Sequence, residues 1–329
     1  MSNWKIHAAL CSNEGIIRKN NEDAFYFNGQ YMALDQMDQG ATLSVDVPAQ
    51  ETLWAVCDGM GGQSNGEVAS YTAVSGMEDL QNHLKGRNFE ATIQSWVRQA
   101  NKAVMEQAEG GGTTLAMLYC GENYLQVAHV GDSRVYRYHA GELTQMTRDH
   151  SKVEMLYAAG MITKDEMRTH PQKNIVTRYL GMSDEYVCEA TLGRKMPFMH
   201  GDRYLLCSDG VTDMLRDEEI ADILKKTKNV AESAEELKER VLDAGARDNL
   251  TLIVLELESE DGESSIPEEG DGYSYEDEED NEPTIIEDEN GNAIVNVNVK
   301  IRQGSIKGCE VSLKNCPKNV RVRVRDVPA

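Results

Sequence analysis

No stretch of this 329-residue sequence approaches the roughly 18 uninterrupted apolar residues that a membrane-spanning helix needs, so no membrane span is expected. Basic side chains are also scarce: 33 Lys and Arg stand against 56 Asp and Glu, a formal charge of −23. A broad surface attractive to nucleic acid or anionic lipid would need local segregation of those few cations, so no nucleic-acid partner is expected. The opening run Ala8-Ala9-Leu10-Cys11 passes at once into Ser12-Asn13-Glu14 and is too short for the core of an export signal. A cytoplasmic protein follows as the expectation. The seven cysteines, at 11, 57, 120, 188, 207, 309 and 316, are odd in number and mostly scattered, unlike a disulfide framework or paired CxxC knuckles. Reduced thiols, mostly in the core, are the default. There is no internal repeat. Gly110-Gly111-Gly112 lacks the Lys-Ser/Thr ending of a phosphate-binding P-loop and precedes an apolar strand, so it reads as a turn.

What charge there is lies unevenly. Ser259 to Pro283 holds twelve acidic residues and no basic one, interspersed with Gly, Ser and Pro. Such a segment buries too little apolar surface to offset chain ordering and is expected to be a flexible, self-repelling linker. Residues 284–329 carry eight basic and five acidic side chains, net +3, which leaves −14 for residues 1–258. Within that tail, Ala293 to Ile301 and Val320 to Arg325 alternate with period two, the pattern of half-buried strands. The expected organisation is a domain over 1–258, an acidic linker over 259–283 and a small β-rich basic element over 284–329. That element is small enough to dock on the domain, pair with a protein partner or stay partly disordered.

Strand-length apolar runs appear at Leu53–Cys57, Thr114–Tyr119, Tyr124–Val130, Arg203–Cys207 and Leu250–Leu255. Helical spacing appears at Glu67–Lys85, Thr92–Ala108, Lys152–Ala159, Glu218–Lys226 and Ala231–Ala244, with Asp217 and Asn229 near helix starts. The order is too irregular for βαβ repeats. Several successive strands beside long consecutive helices predict antiparallel sheets with helices packed outside, an α+β layered fold.

The informative feature is where acids stand relative to these strands. Asp58 precedes Gly59-Met60-Gly61-Gly62, Asp132 follows Val130-Gly131, Asp209 follows Cys207-Ser208, and Asp248 precedes Asn249-Leu250-Thr251. Asn21-Glu22-Asp23 forms a fifth cluster. Any one Asp-Gly at a strand end is ordinary turn chemistry. Several carboxylates converging at one end of a sheet would repel one another severely unless divalent cations occupied the space. Oxygen ligands without a His or Cys cluster favour Mg²⁺ or Mn²⁺ over Zn²⁺, and Gly59 lets the backbone approach and offer a carbonyl. Arg18, just before the Asn-Glu-Asp cluster, presents a planar fork that matches phosphate oxygens. Two cations sharing a carboxylate could activate water for in-line attack on phosphorus, so phosphate-ester hydrolysis is the inferred chemistry.

Arg18-Lys19-Asn20-Asn21-Glu22-Asp23, Asp58-Gly59-Met60-Gly61-Gly62, Gly112-Thr113-Thr114, Gly131-Asp132-Ser133-Arg134, Ser208-Asp209-Gly210 and Arg247-Asp248-Asn249-Leu250-Thr251 resemble, in order, the motifs of the metal-dependent PPM (PP2C-type) serine/threonine phosphatases in their bacterial form. The likeness covers about residues 5–257. The segment from Asp149-His150-Ser151 to Thr177-Arg178-Tyr179-Leu180-Gly181 resembles the flap of those enzymes. The resemblance implies a four-layer αββα sandwich, two antiparallel sheets flanked by helix pairs, with the metal centre in a cleft at one end. It also implies that Asp58 bridges two Mn²⁺ or Mg²⁺ ions, with the Gly59 carbonyl on the first and Asp209 and Asp248 on the second. Glu22 and Asp23 resemble the pair that holds metal-bound waters, Arg18 the residue that grips the substrate phosphate, and Asp132 with Asp209 the ligands of a weaker third ion. Met60 departs from the histidine that eukaryotic members offer as general acid; the acid is then a metal-bound water or another side chain.

Other residues have plainer expectations. His129 lies in a strand-like run and reads as a satisfied core residue. Arg134 and Asn249 are expected to orient loops around the neighbouring carboxylates, and Cys309 with Cys316, lacking His partners, is weak as a metal pair. Three functions remain in view: a protein phosphatase acting on phosphorylated protein substrates and opposing a bacterial Ser/Thr kinase, a phosphatase-like regulatory domain without turnover, and an adaptor role for the basic tail. The second is disfavoured because every expected carboxylate and Arg18 are present.

Overall fold

The computed structural model describes residues 4–61, 65–183 and 188–260, and the backbone of three strands in the tail. Two antiparallel sheets dominate. One runs, edge to edge, through Ala41–Pro48, Trp4–Asn13, Leu250–Ser259, Arg203–Cys207, Arg134–His139 and Glu142–Gln145. The other runs through Thr191–Leu192, Tyr124–Val130, Leu115–Cys120, Thr52–Met60 and Asp23–Phe27, with the short strands Met196–Pro197 and Gly112–Thr113 attached.

Period-two side-chain alternation explains how each sheet serves two layers. In Thr52–Met60, Trp54 and Val56 face a core shared with Ile6, Leu10, Leu206 and Ile253 of the other sheet. Leu53, Ala55 and Cys57 of the same strand pack with Ala73, Met77, Ile93 and Val97, which come from the helices Gly66–Ser75, Met77–Leu84 and Phe89–Gln107. On the far side, Leu252 and Val254 pack with Ile220, Leu224, Leu237 and Val241 from the helices Asp217–Lys226 and Val230–Asp243. This is the four-layer αββα sandwich expected from the sequence. Among the described residues no helix is long and apolar enough to cross a membrane.

Local differences have local causes. The single helix expected over 67–85 is divided at Gly76, whose carbonyl accepts the Trp96 indole N–H at 3.3 Å as well as the backbone N–H of Leu80. Asn229 caps Val230–Asp243 by accepting from Glu232 N–H at 2.9 Å, as its type suggests. Asp217 also stands at a helix start, as expected, as the first residue of Asp217–Lys226. The strands Trp4–Asn13, Asp23–Phe27, Arg134–His139 and Glu142–Gln145, the helix Lys164–Thr169 and the short elements Leu34–Gln39, Thr191–Leu192 and Met196–Pro197 lie outside the runs read from the sequence, and so do two more. One is the edge strand Ala41–Pro48, where Leu43, Val45 and Val47 pack on the inter-sheet core and Thr42, Ser44 and Asp46 face water. The other is the short helix Asp209–Thr212.

In the tail, Thr284–Glu287 pairs antiparallel with Ala293–Val299, which pairs parallel with Arg321–Asp326. Beyond Glu260, the acidic stretch to Pro283 lies outside the described residues, as do Cys309 and Cys316.

Candidate metal centre

Strand register brings the acids together. In the helix-bearing sheet that contains Thr52–Met60, Asp23 stands opposite Asp58, and Leu115 opposite Val130, so Glu22, Asp58, Thr114 and Asp132 cluster at one end. In the other sheet Asn13 pairs with Leu250, and Cys207 pairs with both Leu252 and Arg134, so Asp248, Asp209 and Asp132 lie just past the corresponding end. Arg18, Glu22, Asp58, Gly59, Asp132, Asp209 and Asp248 line one cleft of about 220 Å³. Asp23, the remaining expected residue, is not on its wall; it is buried and accepts from Ser208 Oγ at 2.7 Å. Thr114, Asn174 and Val176 line the cleft without having been singled out as site residues.

Asp58 and Glu22 are held by hydrogen bonds to their backbone. The Asp58 N–H donates to Thr114 Oγ1 at 2.9 Å, and its carbonyl accepts from Thr114 N–H at 2.9 Å and Thr113 Oγ1 at 3.0 Å. A Cβ at Gly59 would lie 2.2 Å from the Gly66 carbonyl oxygen and 2.4 Å from that of Glu22, so only glycine permits this crossing. Asn249 ties three segments: its Nδ2 donates to the Glu14 and Asn20 carbonyls at 2.9 and 2.8 Å, and its Oδ1 accepts from Glu22 N–H at 2.9 Å. Arg134 forms a fork with Asp149, with contacts of 2.6 to 3.1 Å, and also donates to Tyr136 Oη. Both residues orient loops, as expected. His129 is buried, its Nε2 donating to the Arg148 carbonyl at 2.7 Å, and its ring stacks on His150 with centroids 4.6 Å apart. It is a satisfied core residue.

Electrostatically the cleft is unbalanced. Burial, then repulsion from Asp209 and Asp23, pushes the Asp58 carboxyl well above the usual range, and burial with Asp209 does the same to Asp132. Burial, helped by Asp213 and Asp248, raises Asp209 to about 6. Burial raises Glu22 too. Among the described residues Arg18 is the one basic residue on the wall, and its Nη2 is engaged with Asp248 Oδ2 at 2.7 Å. Among the described residues no three His, Cys, Asp or Glu side chains are drawn close enough to hold a metal ion as they stand. The donor set nonetheless fits hard divalent cations: carboxylate oxygens in surplus, Gly59 on the wall beside them, and too little positive charge to neutralise them.

The protein phosphatase 2C family profile matches residues 33–250. Serine/threonine protein phosphatase PstP of Mycobacterium tuberculosis is 36% identical over 258 residues, covering 77% of this chain and 45% of that protein. The chain thus spans less than half the length of that relative. Serine/threonine phosphatase stp of Listeria welshimeri is 33% identical over 261 residues, covering 76% of this chain and 96% of that protein. The crystal structure of M. tuberculosis PstP/Ppp superposes with a TM-score of 0.65 at 36% identity, covering 77% of this chain and 99% of that one. The PstP catalytic domain in complex with two manganese ions gives 0.63 at 34% identity, covering 78% and 99%. An αββα sandwich with these motifs at its strand ends is the architecture of a metal-dependent phosphatase fold. The chain belongs to the protein phosphatase 2C family.

Proposed function

We propose that this chain hydrolyses phosphoserine and phosphothreonine monoesters in proteins, using water activated by Mn²⁺ or Mg²⁺. The observation that carries the reading is the single cleft in which Glu22, Asp58, Asp132, Asp209 and Asp248 meet one arginine. Asp58, the Gly59 carbonyl, Asp209 and Asp248 would hold two ions, Asp132 with Asp209 a third, and Glu22 and Asp23 the surrounding waters. When bound, such ions supply a hydroxide nucleophile near neutral pH and offset the charge of the phosphate.

The chain's own residues do the rest. Arg18 offers its guanidinium fork to the phosphate oxygens, and its contact with Asp248 keeps that fork at the cleft. Thr113 and Thr114 fix the backbone of Asp58, so its carboxylate is aimed before substrate arrives. Met60, on the wall, has no proton to give a leaving alkoxide.

A regulatory domain without turnover is a weaker reading, because it gives no reason to gather uncompensated carboxylates. The catalytic domain is proposed to span 1–258, with the acidic stretch to 283 as linker and the strands beyond it as a separate element that docks or binds a protein partner. The five buried, unpaired cysteines among the described residues suit a reducing cytoplasm, where an opposing Ser/Thr kinase would supply the substrates. Hydrolysis of p-nitrophenyl phosphate and of a phosphothreonine peptide should require added Mn²⁺ or Mg²⁺ and stop with EDTA. Metal-independent turnover would overturn the reading.

A further inference from the structure

Two buried hydroxyls join the strand that carries Asp58 to the turn that carries Asp132. Thr114 Oγ1 accepts the Asp58 N–H at 2.9 Å and lies 2.6 Å from Ser133 Oγ, with either hydroxyl able to donate. Thr114 and Ser133 are each 1% exposed. Among the described residues the Ser133 hydroxyl has no other hydrogen-bond partner.

The registers Val56 with Ala116 and Gly59 with Thr113 set Asp58 opposite Thr114. Opposed residues of a regular antiparallel pair exchange two backbone hydrogen bonds or none. Here Thr114 N–H donates to the Asp58 carbonyl at 2.9 Å, but the return bond from Asp58 N–H ends on the Thr114 side chain. The backbone of Asp58 therefore depends on where one hydroxyl points.

Asp132 depends on the same hydroxyl from the other side. Gly131-Asp132-Ser133 is the turn by which the chain leaves Tyr124–Val130 in one sheet for Arg134–His139 in the other, so neither ladder fixes it. His150 clamps Gly131, accepting its N–H at 3.0 Å and donating to its carbonyl at 2.9 Å, and Thr114 holds Ser133. Gly131, at φ +103°, comes so near that a Cβ would lie 2.7 Å from Thr114 Cβ.

Buried hydroxyls are ordinarily hydrogen-bonded, and exchanging such a pair for apolar groups of the same shape is often nearly neutral for stability. What this pair supplies is direction, because a hydroxyl rotates to suit its partners and Ser133 fixes the partner of Thr114. We propose that Ser133 is a positioning residue for the metal centre: acting through Thr114, it sets Asp58 and Asp132 in place relative to each other. This deepens the phosphatase reading and rests on it.

The test measures Mn²⁺ dissociation constants by titration calorimetry on the full chain, below the melting temperature each protein shows in EDTA. Thr114→Val keeps the shape and removes the hydroxyl, and should weaken Mn²⁺ binding about 10- to 100-fold, the usual loss when a partner behind a ligand is removed. Ser133→Ala should weaken it about tenfold, and Thr114→Ser should stay within about threefold of wild type. The double variant should bind within about twofold of Thr114→Val, since Ser133 acts through that hydroxyl alone. If Thr114→Val does not fold, Ser133→Ala carries the test, because it leaves the Asp58 hydrogen bond in place. Folded variants with wild-type Mn²⁺ affinity, or losses that multiply in the double variant, overturn the proposal. A wild type that neither binds Mn²⁺ nor shows metal-dependent p-nitrophenyl phosphate turnover would instead remove the phosphatase reading, and this positioning role with it.

Discussion

Arg18 and Asp248, 230 residues apart in sequence, meet at 2.7 Å at the mouth of the cleft. Both side chains are substantially exposed, 46% and 40%, and exposed ion pairs contribute little to stability, so the contact serves mainly to aim the guanidinium. If Arg18 grips the phosphate as proposed, Arg18→Ala should raise KM for p-nitrophenyl phosphate about 10- to 100-fold with kcat changed far less. Arg18→Lys should recover only part of it, since a point charge cannot reproduce the fork. The expectation follows from the proposed grip of Arg18 on the phosphate, and steady-state kinetics on the three proteins checks both. Equal KM values would show that Arg18 does not touch the phosphate.

Asp58 is the acid most hemmed in by others. Asp58→Asn should lower kcat more than about 100-fold, beyond the loss that follows when an outer hydrogen-bond partner of a ligand is removed. It should also make the metal-free protein more stable, because a carboxylate whose ionised form is disfavoured by burial and by Asp209, Asp23 and Asp132 becomes neutral. Thermal melts with EDTA and with Mn²⁺ separate the two effects. Wild type should gain about 2.7 kcal/mol at a hundredfold excess over Kd, and the variant much less. A variant melting with the same Mn²⁺ shift as wild type would show that Asp58 is not a ligand.

Much of this site was legible because its logic is local in sequence. An apolar run that stops at Asp-Gly marks a strand end, and Gly59 could be read as a position where backbone must approach. The layered fold followed from run lengths in the same way. What could not be read is non-local. Thr114 stands in the Gly112-Thr113-Thr114 motif, but that its Oγ1 receives the Asp58 N–H from a neighbouring strand is a pairing the motif alone does not spell out. Asp23 sits next to Glu22, yet the two part company, one on the wall and one buried against Ser208, because strand side chains alternate between faces. Gly76 divides the helix expected over 67–85, and the indole N–H of Trp96, twenty residues on, donates to its carbonyl.

His150 shows the same long-range dependence in a form that can be measured. Its backbone N–H donates to the Gly131 carbonyl at 2.9 Å while Gly131 N–H donates to its Nδ1 at 3.0 Å, a reciprocal clamp on the residue before Asp132. Burial, with His129 and Arg178 nearby, holds the imidazole down at about 3, so the ring stays neutral and its Nδ1 lone pair remains available. His150→Ala should destabilise the fold by about 1–3 kcal/mol through the orphaned Gly131 N–H, with a further loss from the His129 stack. His150→Asn, whose Oδ1 falls near the Nδ1 position, should recover the hydrogen-bond share. Urea unfolding of the three proteins decides it; equal losses for Ala and Asn would mean the clamp contributes nothing.

His7 gives the pH dependence. On the strand Trp4–Asn13 it stands between Asp46, 2.7 Å from Nδ1, and Glu258, 2.9 Å from Nε2. Partial burial opposes its charge, but the hydrogen bonds to Glu258 and Asp46 outweigh that and raise its pKa above 6.5. The folded state therefore binds the proton more tightly, so the stabilisation is complete below pH 6.5 and is lost as pH rises through the raised folded value. The difference in melting temperature between wild type and His7→Gln should shrink across that window, and should be smaller in high salt. A difference that is flat with pH would show that the imidazole is neutral in this pair.

The end of the proposed catalytic unit can be tested at the strand Leu250–Ser259. Leu255 and Leu257 are buried in the inter-sheet core, Ser259 pairs with Trp4, and Glu260 reaches Lys5 at 3.0 Å. A chain ending at Glu260 keeps all of these, so it should fold cooperatively and hydrolyse p-nitrophenyl phosphate within about threefold of the full chain. A chain ending at Val254 loses both leucines and the pairing of Trp4 to Ala8 with Leu255 to Ser259, and should not fold stably. Circular dichroism melts and turnover of the two truncations check this. Loss of turnover in the longer one, with its melt intact, would mean that residues beyond 260 complete the site.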